Sequence, residues 1–246
     1  MSNIIYTTKN GVAIITLNRP EKRNAISTLM YQELTEYLIK AETDSSIKAV
    51  IIQGQENCFT AGNDIKDFLN SGAFDSNHPT IKFLYKLSNF AKPAVAAIAG
   101  AAVGIGTTLL LHCDLVVATP CAKLQLPFTN LGLVPEAASS LLLPNLVGHH
   151  KASELLLLGT PFSGEQARDL GLVNYLVDPS DLLSKAQNVA EQLAQKPTEA
   201  LMLTKALLKM NTQKAINTTM NNELDIFAQC LQSDAAKQAF AAFLKS

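Results

Sequence analysis

An α/β fold that ends in an all-helical carboxy-terminal region is predicted by three observations. Short apolar runs alternate with stretches of helical periodicity through the first half of the 246-residue chain, the order of a sheet layered with helices. After Pro135 the strand signals thin out and helices dominate. From Thr198 onward, past the break at Pro197, the apolar spacing is helical throughout. The chain therefore divides into a core, residues 1–197, and a helical region, residues 198–246, with no sheet of its own. Its apolar faces must be buried on the core or on a neighbouring subunit.

Taken in order, the first strand is expected over residues 11–17 and the first helix over 28–42, followed by strands over 49–53 and 94–98. Between these strands, the breaker-rich stretch 70–79 (NSGAFDSNHP) reads as a mobile loop that leads into a helix over 81–89. A helix over 107–112, a strand over 115–118 and a short strand over 123–126 come next. Further helices are expected over 137–147, 151–158 and 164–170, the last opened by Ser163 and Gln166 at capping-box spacing. A final strand is placed over 173–177, and no repeat of fixed period is visible.

Composition excludes several classes of function. With 48% hydrophobic residues, 17% charged residues and a net charge of −1, the chain has no basic excess to neutralise a phosphate backbone, so no nucleic-acid partner is expected. Cys58, Cys113, Cys121 and Cys230 lack CxxC spacing, which argues against a disulfide framework and against a zinc site and fits a reducing cytoplasm. The amino-terminal segment has no basic stretch followed by an apolar run and a small-residue cleavage site, so no signal peptide is expected. The uncharged run 93–111 is long enough for a membrane helix, but it is rich in Ala and punctuated by Gly100, Gly104 and Gly106. It reads as strand, turn and helix start, and no membrane span is expected.

Two glycine-containing turns, CFTAGNDIKDF over 58–68 and GAAVGIGTTL over 100–109, each precede a helical segment. The first N–H groups of a helix have no internal partner, so two such turns facing each other can hold an oxyanion. Taken singly, glycines mark tight turns in any α/β protein. Gly104 and Gly106 lack the third glycine and the following acid of a dinucleotide site. Ser139 and Ser140 lack a GxSxG elbow and read as helix interior, and His149 and His150 read as the polar end of a helix. Asp64 reads as the start of the helix after the first turn, and Asp114 as the junction after the second helix. Glu136 follows Pro135, a pair that also favours a helix opening.

Together and in this order, TLNRPEKRNA, CFTAGNDI, KPAVAAIAGAAVGIG, HCDLVVA, LGLVPEAASS and ARDLGLVNYLV resemble the crotonase (enoyl-CoA hydratase/isomerase) superfamily over nearly the whole chain. The resemblance implies a crotonase/ClpP-like spiral of ββα repeats with a C-terminal helical region, assembled as homotrimers or hexamers. It implies an acyl-CoA substrate, with fatty-acid degradation the default setting and breakdown of aromatic or terpenoid acids its rival. Coenzyme A is part of that substrate, and neither a metal nor a redox cofactor is implied. The matching oxyanion donors are the main-chain N–H groups of Asn63 and Ile105. The matching substrate-binding positions are Ala61, Gly62, Asp64, Ile65, Gly104 and Phe128. Lys22 and Arg23 fit either a contact with the coenzyme A phosphates or a solvated charge cluster.

Members of the superfamily share enolate stabilisation and differ in the acid-base residues nearby. The two glutamates of a hydratase correspond to Thr108 and Phe128 here, and neither of these is a general base at neutral pH. Glu136 instead resembles the single glutamate of isomerases that convert 3-enoyl-CoA to 2-enoyl-CoA, including the preceding proline and the following Ser-Ser. Ile105 departs from the glycine found in many hydratases. The rival readings are hydration, decarboxylation, or acyl-CoA binding without turnover.

Overall fold

The structure, a computed structural model, describes residues 2–55 and 57–244. It opens with an antiparallel hairpin of β1 (Ile4–Lys9) and β2 (Val12–Leu17), joined by Asn10 and Gly11 at φ of 52° and 77°. That left-handed pair matches the twist of the flanking strands. α1 (Thr28–Thr43) is capped by the Ser27 side chain, which accepts from the Met30 N–H. β3 (Ala49–Gln53), β4 (Cys58–Thr60), α2 (Ile65–Asn70) and α3 (Pro79–Ser88) follow. Next come β5 (Ala94–Ile98), β6 (Ala101–Val103) and α4 (Ile105–Thr108), which tightens into a 3-10 turn over Leu109–His112. β7 (Leu115–Ala118) and β8 (Lys123–Gln125) lead to α5 (Ser139–Val147), α6 (His149–Leu157), β9 (Phe162–Ser163), α7 (Gly164–Asp169) and β10 (Tyr175–Leu176). The chain then runs through α8 (Leu182–Ala194), α9 (Thr198–Met210), α10 (Gln213–Leu231) and α11 (Asp234–Phe243).

From β3 to β8, successive strands alternate between two sheets. The larger has the order β1-β2-β3-β5-β7-β10 and the smaller β4-β6-β8-β9. Apart from the β1–β2 and β8–β9 pairs, neighbouring strands run parallel. Each passage from large sheet to small sheet to helix is one ββα step of a spiral. The central strands are buried on both faces, which is why they read as unbroken apolar runs. Ala13, Ile15, Val50, Ile52, Ala96 and Val116 point into the main core, while Val12, Ala49, Ile51, Val95 and Val117 meet Leu182, Ala186, Val189 and Ala190 of α8. The α8 residues recur at helical spacing, so one stripe of that helix covers the outer face of the sheet.

Several boundaries differ from the sequence expectation. The strand over 11–17 is the second arm of a hairpin, and the helix over 107–112 is α4 plus a 3-10 turn. Residues 137 and 138 are not helical: Ala137 and Ala138 are left-handed, at φ of 61° and 55°, and α5 begins at Ser139. Ser139 and Ser140 therefore open a helix and are not in its interior. His149 and His150 open α6 directly after Gly148; they do not end a helix. The capping box at Ser163 and Gln166 is formed in both directions. The stretch 70–79 packs inward through Phe74 and His78, whose rings meet Phe68 and, for Phe74, Phe227. Among the described residues no helix is long and apolar enough to cross a membrane.

Candidate active site

β4 and β6 pair in parallel, so the two glycine turns at their carboxyl ends lie side by side. A Cβ at Gly62 would stand 2.9 Å from the Val103 carbonyl oxygen, and one at Gly106 would stand 2.6 Å from Thr60 Cγ2. Glycine at these two positions is what lets the turns abut. The first turn is framed by the segment after β2. Asn24 donates through Nδ2 to the carbonyls of Cys58 and Phe59, at 3.0 and 3.1 Å, and the Ala61 N–H donates to the Arg23 carbonyl. The Thr60 hydroxyl donates to the Asn24 carbonyl and accepts from the Gly62 N–H.

Ile26 straddles Asn63, donating to the Gly62 carbonyl and accepting from the Asp64 N–H, each within 2.9 Å. The N–H of Asn63 between them has no acceptor among the described residues, and neither has that of Ile105, the first residue of α4. The Asn63 side-chain oxygen accepts from the buried Tyr31 hydroxyl.

These turns form one wall of a cavity of about 460 Å³. Ala61, Gly62, Asn63, Ile65, Gly104, Ile105, Phe128 and Glu136 all line it, so eight of the residues singled out from sequence are brought together. Asp64, Lys22 and Arg23 do not line it. Asp64 caps α2, accepting from the Asp67 N–H, and pairs with Arg19 at 2.8 Å, which together hold its carboxyl below the ordinary range despite partial burial. Lys22 and Arg23 are exposed on a 3-10 turn and its cap, beside the first glycine turn. Asp114 accepts from the Ala94 N–H and from Lys205 of α9, both at 2.7 Å, and so ties the helical region to the large sheet.

Glu136 is 5% exposed, and neither carboxyl oxygen has a hydrogen-bond partner among the described residues. Its pKa is pushed up to about 8, first by burial and then by the neighbouring Glu223. The Thr108 hydroxyl lies close enough to favour the charged form, yet completes no hydrogen bond of its own. An unpaired carboxyl in an apolar cavity is costly to structure and suited to proton transfer near neutral pH.

Sequence reasoning missed Tyr31 behind Asn63, and it missed Phe227 and Phe240, which bring α10 and α11 over the cavity as its far wall. One signal was available. Ile216, Met220, Glu223 and Phe227 recur at helical spacing on the buried side of α10, which places an acid in an apolar stripe.

A family model described as enoyl-CoA hydratase/isomerase matches residues 7–246. The chain belongs to the enoyl-CoA hydratase/isomerase family. This family member is 35% identical to a Bacillus subtilis protein named probable enoyl-CoA hydratase, over 100% of this chain and 96% of that protein. It is 33% identical to the 1,2-epoxyphenylacetyl-CoA isomerase of Escherichia coli, over 99% of this chain and 96% of that one. Its fold matches the solved structure of Pseudomonas aeruginosa OdaA with a TM-score of 0.97 at 41% identity, covering both chains fully. The activity of this enoyl-CoA hydratase/isomerase family member is accordingly of the type the family name describes, and the spiral fold is that of its structural neighbours.

Proposed function

We propose that the protein is an enoyl-CoA isomerase that shifts a C3–C4 double bond of an acyl-CoA to C2–C3. The observation that carries this reading is the acid content of the cavity. Glu136 is the one carboxyl among the described lining residues, while Thr108 and Phe128 occupy the positions that resemble the paired glutamates of hydratases. One acid that can take and return a proton is enough for isomerisation. Gripping a water for addition is better served by two.

In this reading the Glu136 carboxylate removes a proton from C2. The electron pair moves toward the thioester carbonyl, forming a dienolate whose oxygen is held by the N–H groups of Asn63 and Ile105. Both donors are fixed by the turns before the charge develops, so little reorganisation is needed. The protonated Glu136 then delivers its proton to C4, and the double bond comes to rest between C2 and C3. Product and substrate have the same atoms and oxidation level, so the proton transfers balance without an added redox partner. Phe128, 5% exposed, excludes water from the reacting carbons. The exposed apolar residues Leu203, Leu207 and Met210 of α9 suit burial against a neighbouring subunit in the trimer or hexamer that the resemblance implies.

Hydration is the second reading, favoured by relatives that are named as hydratases. The test offers purified protein and Glu136→Gln a 3-enoyl-CoA and, separately, a 2-enoyl-CoA, following mass and the absorbance of the conjugated thioester. Isomerisation predicts the conjugated product without gain of mass, lost in the variant. Rapid addition of water to the 2-enoyl substrate would replace it with the hydratase reading. Saturable binding with no product from either substrate would leave an acyl-CoA-binding module.

A further inference from the structure

The loop that presents Glu136 is held in a conformation its own sequence does not favour. Ala137 and Ala138 follow the acid directly and are both left-handed, at φ of 61° and 55°. Two consecutive non-glycine residues there are strained, and such a turn persists only where its surroundings fix it. Local help comes from Ser139, whose N–H and hydroxyl both donate to the Glu136 carbonyl, at 3.0 and 2.6 Å. The remaining contacts come from distant parts of the chain.

Glu223, on α10 and 7% exposed, accepts the Ala138 N–H on one carboxyl oxygen at 2.6 Å. Its other oxygen accepts both the N–H and the hydroxyl of Ser140, the N–H at 3.0 Å. α5 has no capping side chain of its own, so this remote carboxylate satisfies its leading N–H groups. On the other side of the turn, His112 Nε2 lies 2.8 Å from the Ala137 carbonyl oxygen. A carbonyl can only accept, so His112 carries its proton on Nε2. Burial holds its pKa down to about 4 and keeps the ring neutral.

We propose that Glu223 and His112 are positioning residues for Glu136, gripping the left-handed Ala137–Ala138 turn so that the catalytic carboxyl faces the cavity. The inference rests on Glu136 being the acid-base of the reaction. Phe227, one helical turn beyond Glu223 on the same stripe of α10, lines the cavity. The helix that walls the acyl site is thus the helix that aims the acid, and the catalytic geometry depends on its docking.

The test measures kcat, KM and the pH profile for Glu223→Gln, Ser140→Ala and Glu136→Gln with a 3-enoyl-CoA. Gln at 223 keeps the size but turns one N–H donor group toward another. A misaimed carboxyl lowers kcat by about 100-fold and leaves KM within about threefold, because the coenzyme A contacts are elsewhere. The ionisable or polar groups facing Glu136 are Glu223 from α10, Tyr31 from α1 and Thr108 from α4, with His112 behind the turn. Removing the Glu223 charge leaves one repulsion fewer, so the acidic limb of kcat/KM moves to lower pH. That shift reports the charge alone; a merely structural residue would lower thermal stability and leave the kcat of the folded variant in place.

Ser140→Ala deletes one hydrogen bond and lowers kcat by about tenfold in the same pattern, and it decides the matter if Glu223→Gln does not fold. Folded variants with unchanged kcat overturn the positioning role, whatever the pH profile does. If Glu136→Gln is inactive while the other two turn over normally, the positioning proposal alone fails. If Glu136→Gln is active, the assignment of Glu136 fails first.

Discussion

Glu136 and Glu223 are the same chemical group, buried to nearly the same degree, 5% and 7% exposed, and close enough for Glu223 to raise the cost of ionising Glu136. Burial pushes both carboxyls up, but their partners differ. Glu223 accepts from two main-chain N–H groups and a serine hydroxyl, all of which favour its charged form, whereas both oxygens of Glu136 are unpaired. The contrast separates an acid tied into the structure from one left without partners, which is the one proposed as acid-base. A buried carboxyl with its hydrogen bonds satisfied has no reason to move a proton. One without them is destabilising unless something enters the cavity to use it.

The largest effect expected from breaking this contrast is on turnover. Glu136→Gln, measured on a 3-enoyl-CoA, loses activity by about a thousandfold or more, the range for removing a general acid-base. Stability moves in opposite directions at the two sites. The Glu136 carboxyl keeps its proton in the folded state up to about pH 8, whereas its ordinary value is 4.5. Between those values the unfolded chain releases a proton that the folded chain retains, so this residue's contribution to stability falls as pH rises through the window and levels off above 8. Glu136→Gln is therefore stabilising by an amount that grows from pH 4.5 to 8, reaching on the order of a few kcal/mol. Glu223→Leu leaves the Ala138 and Ser140 N–H groups without acceptors and costs about 2–4 kcal/mol. Denaturant melts of the two variants at pH 5 and pH 8 check both signs.

A finer measurement is the pH dependence of kcat/KM. With Glu136 as the proposed base, the free enzyme is active only once the carboxyl pair has lost a proton, so kcat/KM is expected to rise with pH through an apparent value near 8. That value belongs to the Glu136 and Glu223 pair and not to either residue alone. A profile flat from pH 6 to 9 would mean that the proton shuttle lies elsewhere (compare the ordinary carboxyl range near 4.5).

How much of this was legible in sequence follows the range of the interactions. The strands Ala49–Gln53, Ala94–Ile98 and Leu115–Ala118 were read to the residue because their apolar runs are self-contained. The two glycine turns and Glu136 were located by motif, and they converge on one cavity. β4, β6 and β9 are two or three residues long, too short to show a period, and β1 was overlooked although Asn10-Gly11 is a hairpin signal. Ala137 and Ala138 read as helix because alanine favours helix. Their left-handed turn is imposed by Glu223 and His112, 85 and 25 positions away from the residues they grip. Local propensity is overridden at the turn that presents Glu136, the acid-base of the proposed reaction, which is where local and global preferences are expected to disagree.

The smallest expected effect concerns the exposed end of the site. Lys22 and Arg23 stand on the segment whose Arg23 carbonyl holds the Ala61 N–H, so they flank the first turn without lining the cavity. A cation in water contributes little to a phosphate contact, and side-chain freedom offsets part of it. Replacing both with Ala should raise KM by about threefold, with kcat unchanged, and the increase should shrink as salt is added. Unlike Glu223→Gln, this change acts on the coenzyme A end alone, so it sets binding apart from aiming. Equal KM values for the variant and the unaltered protein at low ionic strength would make the pair a solvated charge cluster and leave recognition of the coenzyme to the main chain around Ala61 to Ile65.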